Sequence, residues 1–438
     1  MTLPLRKAIF WVHLVSGLVA GLAIAIMSFT GACIAFEKEL VAWSERDARS
    51  VTPPDVAAQP LPLDALITAA RAQADGAAPS AVIVSADRDA AVSVAFGRDR
   101  TVFVNPYTAE VRTPASTSMH DTLHVLEEWH RWLALSGDQR PVGKLINGIS
   151  NLAFFGLAVT GLYIWWPRRW TRAALRPSVW FTGAHGKARD WNWHNVLGLW
   201  SAPVLIVLTL TALPISFRWA ANGIYRLWGE EPPTQGGPPA APALTVPARS
   251  GAERAPYQSV VNAVAAQSPD WKTVTLRLGG PRGGAGAAGP MAGGAPREGG
   301  RGEMGLRAGS GEGQRDGGGR RQGPRDGSGG GRGAGHADSP TVPALSVAVN
   351  ERGAFPAFAT IQYSLDPYTG EVLRRETLGD ASAARQTRMW TRFLHTGEAF
   401  GFWGKLIAGV ASVIGVVLTY TGFALSYRRF FGKKAASA

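Results

Sequence analysis

The sequence predicts an all-α transmembrane four-helix bundle, made of two tandem repeats related by a pseudo-twofold axis, with two α+β extramembrane domains. Three observations predict this fold. Four apolar segments alternate with polar ones, and each is long enough for a hydrocarbon layer that needs about 20 residues. Basic residues gather on one side of all four. Motifs of the first half recur in the second. The apolar segments are 10–36, 143–166, 194–217 and 402–427.

The basic residues that flank the spans predict the orientation of the chain. Arg6 and Lys7 precede the first span, which is too long for a cleaved signal peptide, and further basic residues follow the second and fourth spans. All fall on one side, so we expect both termini and the loop 167–193 in the cytoplasm, with 37–142 and 218–401 outside. The further basic residues are Arg168, Arg169, Arg172, Arg176, Lys187, Arg189, Arg428, Arg429, Lys433 and Lys434.

The composition excludes several classes of protein. A net charge of +13 would suit nucleic acid, but much of it lies at the span ends and in a Gly/Arg-rich tract, so no nucleic-acid partner is expected. The single cysteine, Cys33, excludes an intramolecular disulfide. No phosphate-binding loop, HExxH zinc motif or dinucleotide-binding glycine turn occurs in the sequence. Electrons for a redox reaction must therefore come from a partner or a membrane carrier.

An internal repeat relates the two halves of the chain. His13 and Gly17 of the first span correspond to His194 and Gly198 of the third, with one helical turn between histidine and glycine in each case. The second and fourth spans share two motifs, Gly-Lys-Leu-Ile starting at Gly143 and Gly404, and Thr-Gly starting at Thr160 and Thr421. Because each copy crosses the membrane twice, both copies have the same orientation, and a twofold axis along the membrane normal is expected.

The two outside segments repeat the same elements. Each has an amphipathic helix (63–74 or 257–267), alternating strands, and a turn of sequence NPYTAEV at 105–111 or DPYTGEV at 366–372.

The tract 278–340 is nearly all Gly, Arg and other small or polar residues, so disorder is expected there. The predicted parts are a first transmembrane helix (1–36), a first outer domain (37–117), an outer amphipathic helix with the second transmembrane helix (118–166), the cytoplasmic loop (167–193), the third transmembrane helix (194–217), the second outer domain (218–389), and the fourth transmembrane helix with its tail (390–438).

Four of the eight histidines lie at span ends in matching positions. His13 and His194 open the first and third spans on the cytoplasmic side, and His130 and His395 precede the second and fourth on the outer side. Ionisable groups at membrane depth are rare and usually functional. Because two neutral imidazoles can ligate one haem iron, we predict two haems per chain, one for each pair, which would form an electron path across the bilayer.

Further residues complete the predicted sites. Gly17 and Gly198 would give the macrocycle room beside His13 and His194. His124, which forms an i, i+4 pair with surface residue His120, is the reserve candidate for a ligand or an iron contact. Arg392, Trp390 and Trp403 flank the outer histidines and are candidates for the surroundings of the outer haem. The alternative interpretation is that the four histidines are interfacial residues, like the nearby tryptophans.

Several motifs resemble the PepSY-associated transmembrane family. They are WVHLVSG at 11–17, WWPRR at 165–169, WNWHNVLGLW at 191–200 and LHTGEAFG at 394–401, and the DPYTGEV turn is similar to the turn that closes PepSY modules. The resemblance covers nearly the whole chain except the Gly/Arg-rich tract, and it implies that the outer domains are PepSY-like. The chain departs from the pattern at Ala109, where the second copy has Gly370.

The resemblance also implies a function. Members include ferrioxamine-type reductases of the bacterial inner membrane that hold haem b in their helix bundle. This chain would then pass electrons from a cytoplasmic or quinol donor to a ferric siderophore in the periplasm, releasing Fe(II), with membrane lipid around its helices. Two alternatives remain open: a non-enzymatic PepSY membrane protein that binds peptide or protein partners, and a transporter component. A haem spectrum separates the first function from both alternatives.

Overall fold

The structure is a computed structural model that describes residues 3–97, 100–167, 170–233, 244–278 and 340–431. Its helices are α1 (Leu3–Ile34), α2 (Glu37–Ser44), α3 (Arg46–Arg49), α4 (Leu63–Gln73), α5 (Ser118–Trp132), α6 (Arg140–Trp165), α7 (Arg172–Val179), α8 (Gly186–Ser216), α9 (Arg218–Leu227), α10 (Tyr257–Gln267), α11 (Ala383–His395) and α12 (Gly401–Phe431). Its strands are β1 (Ala81–Ser85), β2 (Val92–Phe96), β3 (Arg100–Val104), β4 (Val111–Arg112), β5 (Thr245–Pro247), β6 (Trp271–Arg277), β7 (Thr341–Pro343), β8 (Leu345–Glu351), β9 (Ile361–Leu365) and β10 (Val372–Glu376).

Within these ranges, four helical stretches are long and apolar enough to cross a membrane, as the sequence predicts. They comprise α1, α6, α8 and α12, and each exceeds the roughly 20 residues that a bilayer requires. Large apolar side chains remain on their outer surfaces; Val19 is 82% exposed and Leu22 is 70% exposed. Such exposure would be costly in water, and it is the expected state of side chains that face lipid. The stretches are Leu5–Ile34, Gly137–Trp165, Gly186–Ser216 and Glu398–Phe431.

The four spans form a bundle in which α1 and α8 each pack against both α6 and α12. This arrangement places α1 and α8 on one diagonal of the bundle. Glycines allow the helices to approach closely: a Cβ atom at Gly21 would lie 2.6 Å from the ring of Phe423, and one at Gly148 would lie 2.8 Å from the ring of Phe217. Small residues at such contacts are typical of helix packing in membranes.

Basic residues cluster at one end of the bundle. Arg6 donates a hydrogen bond to the carbonyl of Trp166 at 3.2 Å, Arg429 lies 4.9 Å from the ring centre of Phe10, and Arg428 lies among the same helix ends. The start of α1 therefore meets the end of α6 and the end of α12. Four of the basic residues that predict the orientation lie outside the described residues, namely Arg168, Arg169, Lys433 and Lys434.

At the other end lies an antiparallel eight-stranded sheet of order β10-β9-β8-β6-β1-β2-β3-β4. The central pair, β1 and β6, joins the first outer segment to the second, with Val82 opposite Leu276. Helices α4 and α10 pack on the sheet and bury Leu66 and Val264 in one shared core. The sequence predicts two outer domains, whereas the structure joins their strands. Pairing β1 with β6 satisfies backbone groups that two separate half-sheets would leave at open edges.

The repeated turn has the same conformation in both outer segments. The side chain of Asn105 or Asp366 accepts a hydrogen bond from the backbone nitrogen two residues later, at 2.9 and 2.7 Å. Gly370 has a φ of 72° and Ala109 a φ of 58°. The left-handed conformation is easy for glycine and costs about 1 kcal/mol for alanine. The departure at Ala109 is therefore tolerated without a change of turn.

The predicted insertion falls between β6 and β8. Strand β6 ends at Arg277, and the short β7 pairs with β5 before β8 begins at Leu345. Strands β6 and β8 are direct neighbours, with Arg277 opposite Ser346. Residues 279–339, which carry the disorder prediction, lie outside the described residues. The sheet is thus continuous on both sides of the insertion.

Candidate functional site

The inner pair of histidines meets across the diagonal of the bundle. His13 lies on α1 and His194 on α8, and their ring centres are 6.5 Å apart with an interplanar angle of 86°. The two residues are far apart in sequence, but each lies in the first half of its helix, towards the basic end. The structure therefore brings together the two residues that the sequence predicts as one ligand pair.

Each inner histidine is held by a threonine on the neighbouring span. The Nδ1 atom of His13 lies 2.9 Å from the hydroxyl oxygen of Thr160, and that of His194 lies 2.9 Å from that of Thr421. The Thr160 hydroxyl donates its proton to the carbonyl of Gly156 at 2.6 Å, and Thr421 likewise donates to Val417 at 2.9 Å. Because each hydroxyl proton is already used, the Nδ1–H of the histidine must be the donor, which leaves Nε2 unprotonated.

The glycine after each of these threonines lies against the histidine ring. A Cβ atom at Gly161 would lie 3.4 Å from Cε1 of His13, and one at Gly422 would lie 3.7 Å from Cε1 of His194. The two predicted glycines lie against leucines of the neighbouring spans: a Cβ at Gly17 would meet Leu157 at 3.7 Å, which is ordinary contact. Gly198 is placed in the same way against Leu418, at 3.8 Å. The Thr-Gly pairs therefore shape the ring environment more closely than Gly17 and Gly198 do.

The outer pair is built from the two helices that precede the second and fourth spans. His130 lies in the last turn of α5 and His395 ends α11, and their ring centres are 6.2 Å apart. The Nδ1–H of His130 donates to the carbonyl of Met27 at 2.9 Å, and that of His395 donates to the carbonyl of Leu208 at 2.9 Å. Thr30 adds a second contact to Nδ1 of His130, at 3.2 Å.

Burial keeps the outer imidazoles neutral. It lowers the pKa of His130 to about 4, and the neighbouring His395 adds to the lowering. Burial also lowers the pKa of His395. A neutral ring with a protonated Nδ1 presents an unprotonated Nε2, which is the form of imidazole that binds a metal.

Sharp turns position these outer histidines over the bundle. The chain reverses after α11 at Gly397, which has a φ of 73°, and a Cβ there would lie 2.6 Å from the carbonyl oxygen of Gly404. In the first half, a Cβ at Gly143 would overlap the carbonyl oxygen of Trp132. The close approach of these backbones folds α5 and α11 back against the spans that follow them. His130 and His395 consequently point to the same region.

The spacing of both pairs suits one metal between two imidazoles. A metal–imidazole bond is about 2 Å long, so two rings on opposite sides of one iron have centres about 6 Å apart. The observed separations are 6.5 and 6.2 Å. Among the described residues, no group of three or more His, Cys, Asp or Glu side chains has the geometry of a metal site; a haem iron needs only two protein ligands.

The other candidate residues lie in different surroundings at the outer end. Trp390 packs in an aromatic cluster, 5.4 Å from Phe358 and 6.3 Å from Phe355 between ring centres. Trp403 is 68% exposed and contacts Phe402. His124 lies between two carboxylates of its own helix, 3.8 Å from Glu127 and 3.9 Å from Glu128. Arg392 is exposed beside the ring of Phe393.

Sequence reasoning missed the partners of the ligand candidates. Thr160 and Thr421 belong to the repeated Thr-Gly pairs, to which the sequence alone gives no role, and Thr30 is a further partner that the structure adds. The signal available in the sequence was that a threonine recurs on the span that follows each inner histidine. The carbonyls of Met27 and Leu208 carry no sequence signal, because every residue has a carbonyl.

Among the described residues, four helices long and apolar enough to span a membrane, joined to a sheet at one end, define a multi-pass membrane protein. The chain belongs to the family described as the PepSY-associated TM region, whose family model matches residues 10–429. The family assignment made from the sequence motifs is therefore confirmed. A search of curated proteins finds no match to the chain.

Proposed function

We propose that the protein is a haem-containing reductase of the bacterial inner membrane, which passes electrons across the bilayer to a ferric siderophore in the periplasm and releases Fe(II). One observation carries the proposal. Two pairs of facing imidazoles lie at two depths of one bundle, and every one of them donates Nδ1–H to an oxygen. Interfacial histidines that reach for headgroups would have no reason to share this arrangement.

The same contacts in both halves support the repeat and the number of cofactors. His13 and His194 each bond a threonine of the following span, and His130 and His395 each bond a carbonyl of the preceding span. Two ligands related by a twofold axis would approach a planar cofactor from opposite faces. We therefore assign one haem b to each pair, without covalent attachment, because the single cysteine forms no CxxCH motif.

The depth of the two pairs supports transfer across the membrane. Met27, the partner of His130, follows His13 on α1 by about 21 Å at roughly 1.5 Å per residue. A bound haem would supply a one-electron Fe(III)/Fe(II) couple at each depth. The protein contributes neutral imidazole ligands and an apolar bundle that excludes water. A quinol donor would supply two electrons and release two protons, enough to reduce two ferric ions.

The basic end of the bundle supports the proposed direction of electron transfer. Arginine and lysine accumulate in cytoplasmic loops, so the end that contains Arg6 and Arg428 lies in the cytoplasm together with the inner pair. The outer pair and the sheet, which we interpret as two joined PepSY-like modules, then lie in the periplasm. A thiol-labelling experiment tests this. In a Cys33→Ala background, Ala58→Cys should react with an impermeant maleimide in intact spheroplasts, and His185→Cys should react only after lysis. The reverse pattern would contradict the orientation.

The cofactor assignment is tested by absorption spectroscopy of the purified protein. We expect a low-spin b-type spectrum with two haems per chain. His13→Ala and His194→Ala should remove one spectral component, and His130→Ala and His395→Ala should remove the other. His120→Ala is the matched control and should change neither. A colourless protein from haem-supplied cells would exclude the redox function and favour the peptide-binding alternative.

The substrate is tested by stopped-flow oxidation of the dithionite-reduced protein with a panel of ferric siderophores, with an Fe(II) chelator to report the product. The outer component should oxidise first, and His395→Ala should slow the transfer by orders of magnitude. If no ferric siderophore oxidises the protein faster than buffer does, ferric reduction is not its activity.

A further inference from the structure

The face of α11 that carries His395 also carries two arginines. Arg388 and Arg392 precede His395 by two turns and one turn, which places all three on one stripe of the helix. The stripe starts at Ala384, which is fully buried against Tyr225 of α9. The basic residues therefore lie between a buried contact of two helices and the outer histidine.

The hydroxyl of Tyr225 is an unsatisfied group next to this stripe. Tyr225 is 2% exposed, and its hydroxyl has no hydrogen-bond partner among the described residues. An unpaired buried hydroxyl costs about 1–3 kcal/mol. Its charged neighbours are Arg388, Glu230 and Arg385. A ligand that accepts a hydrogen bond would remove the cost.

No carboxylate of the described protein neutralises the stripe. Burial lowers the pKa of the Arg388 guanidinium, and the neighbouring Arg392 adds to the lowering; the hydroxyl of Tyr225 lies nearby. Glu230 is the nearby acid, and it is already engaged at the start of α11, where it accepts hydrogen bonds from the hydroxyl of Ser382 at 2.7 Å and the backbone nitrogen of Ala384 at 3.1 Å. Arg388 is partly buried, and a partly buried guanidinium without an acid partner is costly unless an anion binds there.

The first half of the molecule has the opposite charge at the corresponding place. Glu127 precedes His130 by one turn, as Arg392 precedes His395. Glu127 is ion-paired with Arg131 at 2.8 Å. The excess of positive charge is therefore restricted to the α11 side. This asymmetry indicates a ligand whose acidic groups lie on that side alone.

We propose that Tyr225, Arg388 and Arg392 form a binding site for a carboxylate group beside His395. Arginine binds carboxylates through parallel N–H donors, and the tyrosine hydroxyl would add a third donor. We expect this carboxylate to be a propionate of the outer haem, because the stripe of α11 ends at His395, the proposed ligand of that haem. To this extent the inference rests on the proposed function. A soluble carboxylate in the outer compartment has the same chemistry, and the experiment separates the two.

The first arm compares haem with its dimethyl ester, in which both carboxylates are blocked. Full-length protein with His13→Ala, expressed without added haem, is titrated with each compound, so that only the outer site binds. We expect tighter binding of haem than of the ester. Arg388→Gln should reduce that preference by about tenfold or more, and Tyr225→Phe should reduce it less. Arg226→Gln removes the same charge from an exposed residue beside Tyr225 and should leave the preference unchanged.

The second arm measures the melting temperature of the haem-free protein with citrate. If haem and ester bind equally, but citrate raises the melting temperature only while Arg388 and Tyr225 are intact, the site takes a soluble carboxylate. If neither arm depends on these residues, the site does not exist. Failure of the proposed function would appear separately, as absence of binding by either haem compound, and the citrate arm would still test the site.

Discussion

The Nδ1 atom of His13 lies 2.9 Å from the hydroxyl oxygen of Thr160, on the span next to its own. Because the threonine hydroxyl already donates to Gly156, this contact selects the tautomer of the histidine. The same relationship holds between His194 and Thr421. A contact that leaves Nε2 free in both halves is expected of residues that bind a ligand between them.

Loss of the threonine acceptor should weaken the inner site. Thr160→Val keeps the volume but removes the oxygen that fixes His13. Groups that hydrogen-bond a metal-ligating histidine typically contribute 10- to 100-fold in metal affinity. We expect about a tenfold lower haem affinity of the inner component, measured by titration of haem-free protein. Thr160→Ser should bind normally. Thr419→Val is the control, because within the described part of the chain the Thr419 hydroxyl donates to the carbonyl of Gly415 and not to a histidine; an equal loss there would indicate a packing effect.

A larger side chain beside the inner histidine should exclude the cofactor. A Cβ atom at position 161 would already lie 3.4 Å from His13, and Gly161→Leu adds further side-chain atoms beyond that Cβ. We expect the inner spectral component to be lost and the outer one to remain. Gly156→Leu, on the same helix, has open space around its Cβ position and should retain both. Retention of the inner component in Gly161→Leu would contradict the placement of the site.

The stability of the protein should fall as the pH rises past the pKa of Glu37. Burial raises this pKa from 4.5 to about 7, and the nearby Glu127 adds to the rise. The folded state therefore favours the protonated acid, and the advantage is present below pH 4.5 and lost as the pH passes 7. Glu37→Gln should remove this component, so that its melting temperature falls less than that of the wild type between pH 5 and pH 8. Glu253→Gln, at an exposed residue, is the control and should follow the wild type.

The ion pair at the basic end should stabilise the bundle. Asp190 is 1% exposed and lies 2.7 Å from Arg428 and 2.8 Å from Arg189, although the angle of the Arg428 contact is poor for a hydrogen bond. Asp190→Asn leaves two partly buried cations unpaired, and we expect a loss of about 2 kcal/mol in unfolding free energy, below the full value for a buried pair because both arginines are partly exposed.

Unfolding in detergent measures this loss. Adding Arg428→Gln to Asp190→Asn should cost less than the sum of the single changes, because the two residues are coupled. Asp87→Asn breaks a pair with Arg352 in which both side chains are at least half exposed, and it should cost less than about 1 kcal/mol. Additive effects of the Asp190 and Arg428 changes would show that their contact does not stabilise the bundle.

The sequence determined the parts of the protein whose cause is local or periodic. Hydrophobic length defines the four spans, because a bilayer imposes the same requirement on any chain. The Asx-Pro-Tyr-Thr motif defines the turns before β4 and β10, because proline fixes φ and the Asx side chain bonds the backbone. Repetition of His13 and Gly17 at His194 and Gly198 indicated which histidines belong together.

Only the tertiary structure decided how these parts meet. The pairing of β1 with β6 joins two strands that lie far apart in the sequence, and no local pattern encodes it. The hydrogen bonds from His130 and His395 go to carbonyls, which sequence cannot distinguish from any others. The hydroxyl of Tyr225 is buried without a hydrogen-bond partner among the described residues because α9 packs against α11. Burial depends on which elements pack together, so the sequence does not show it.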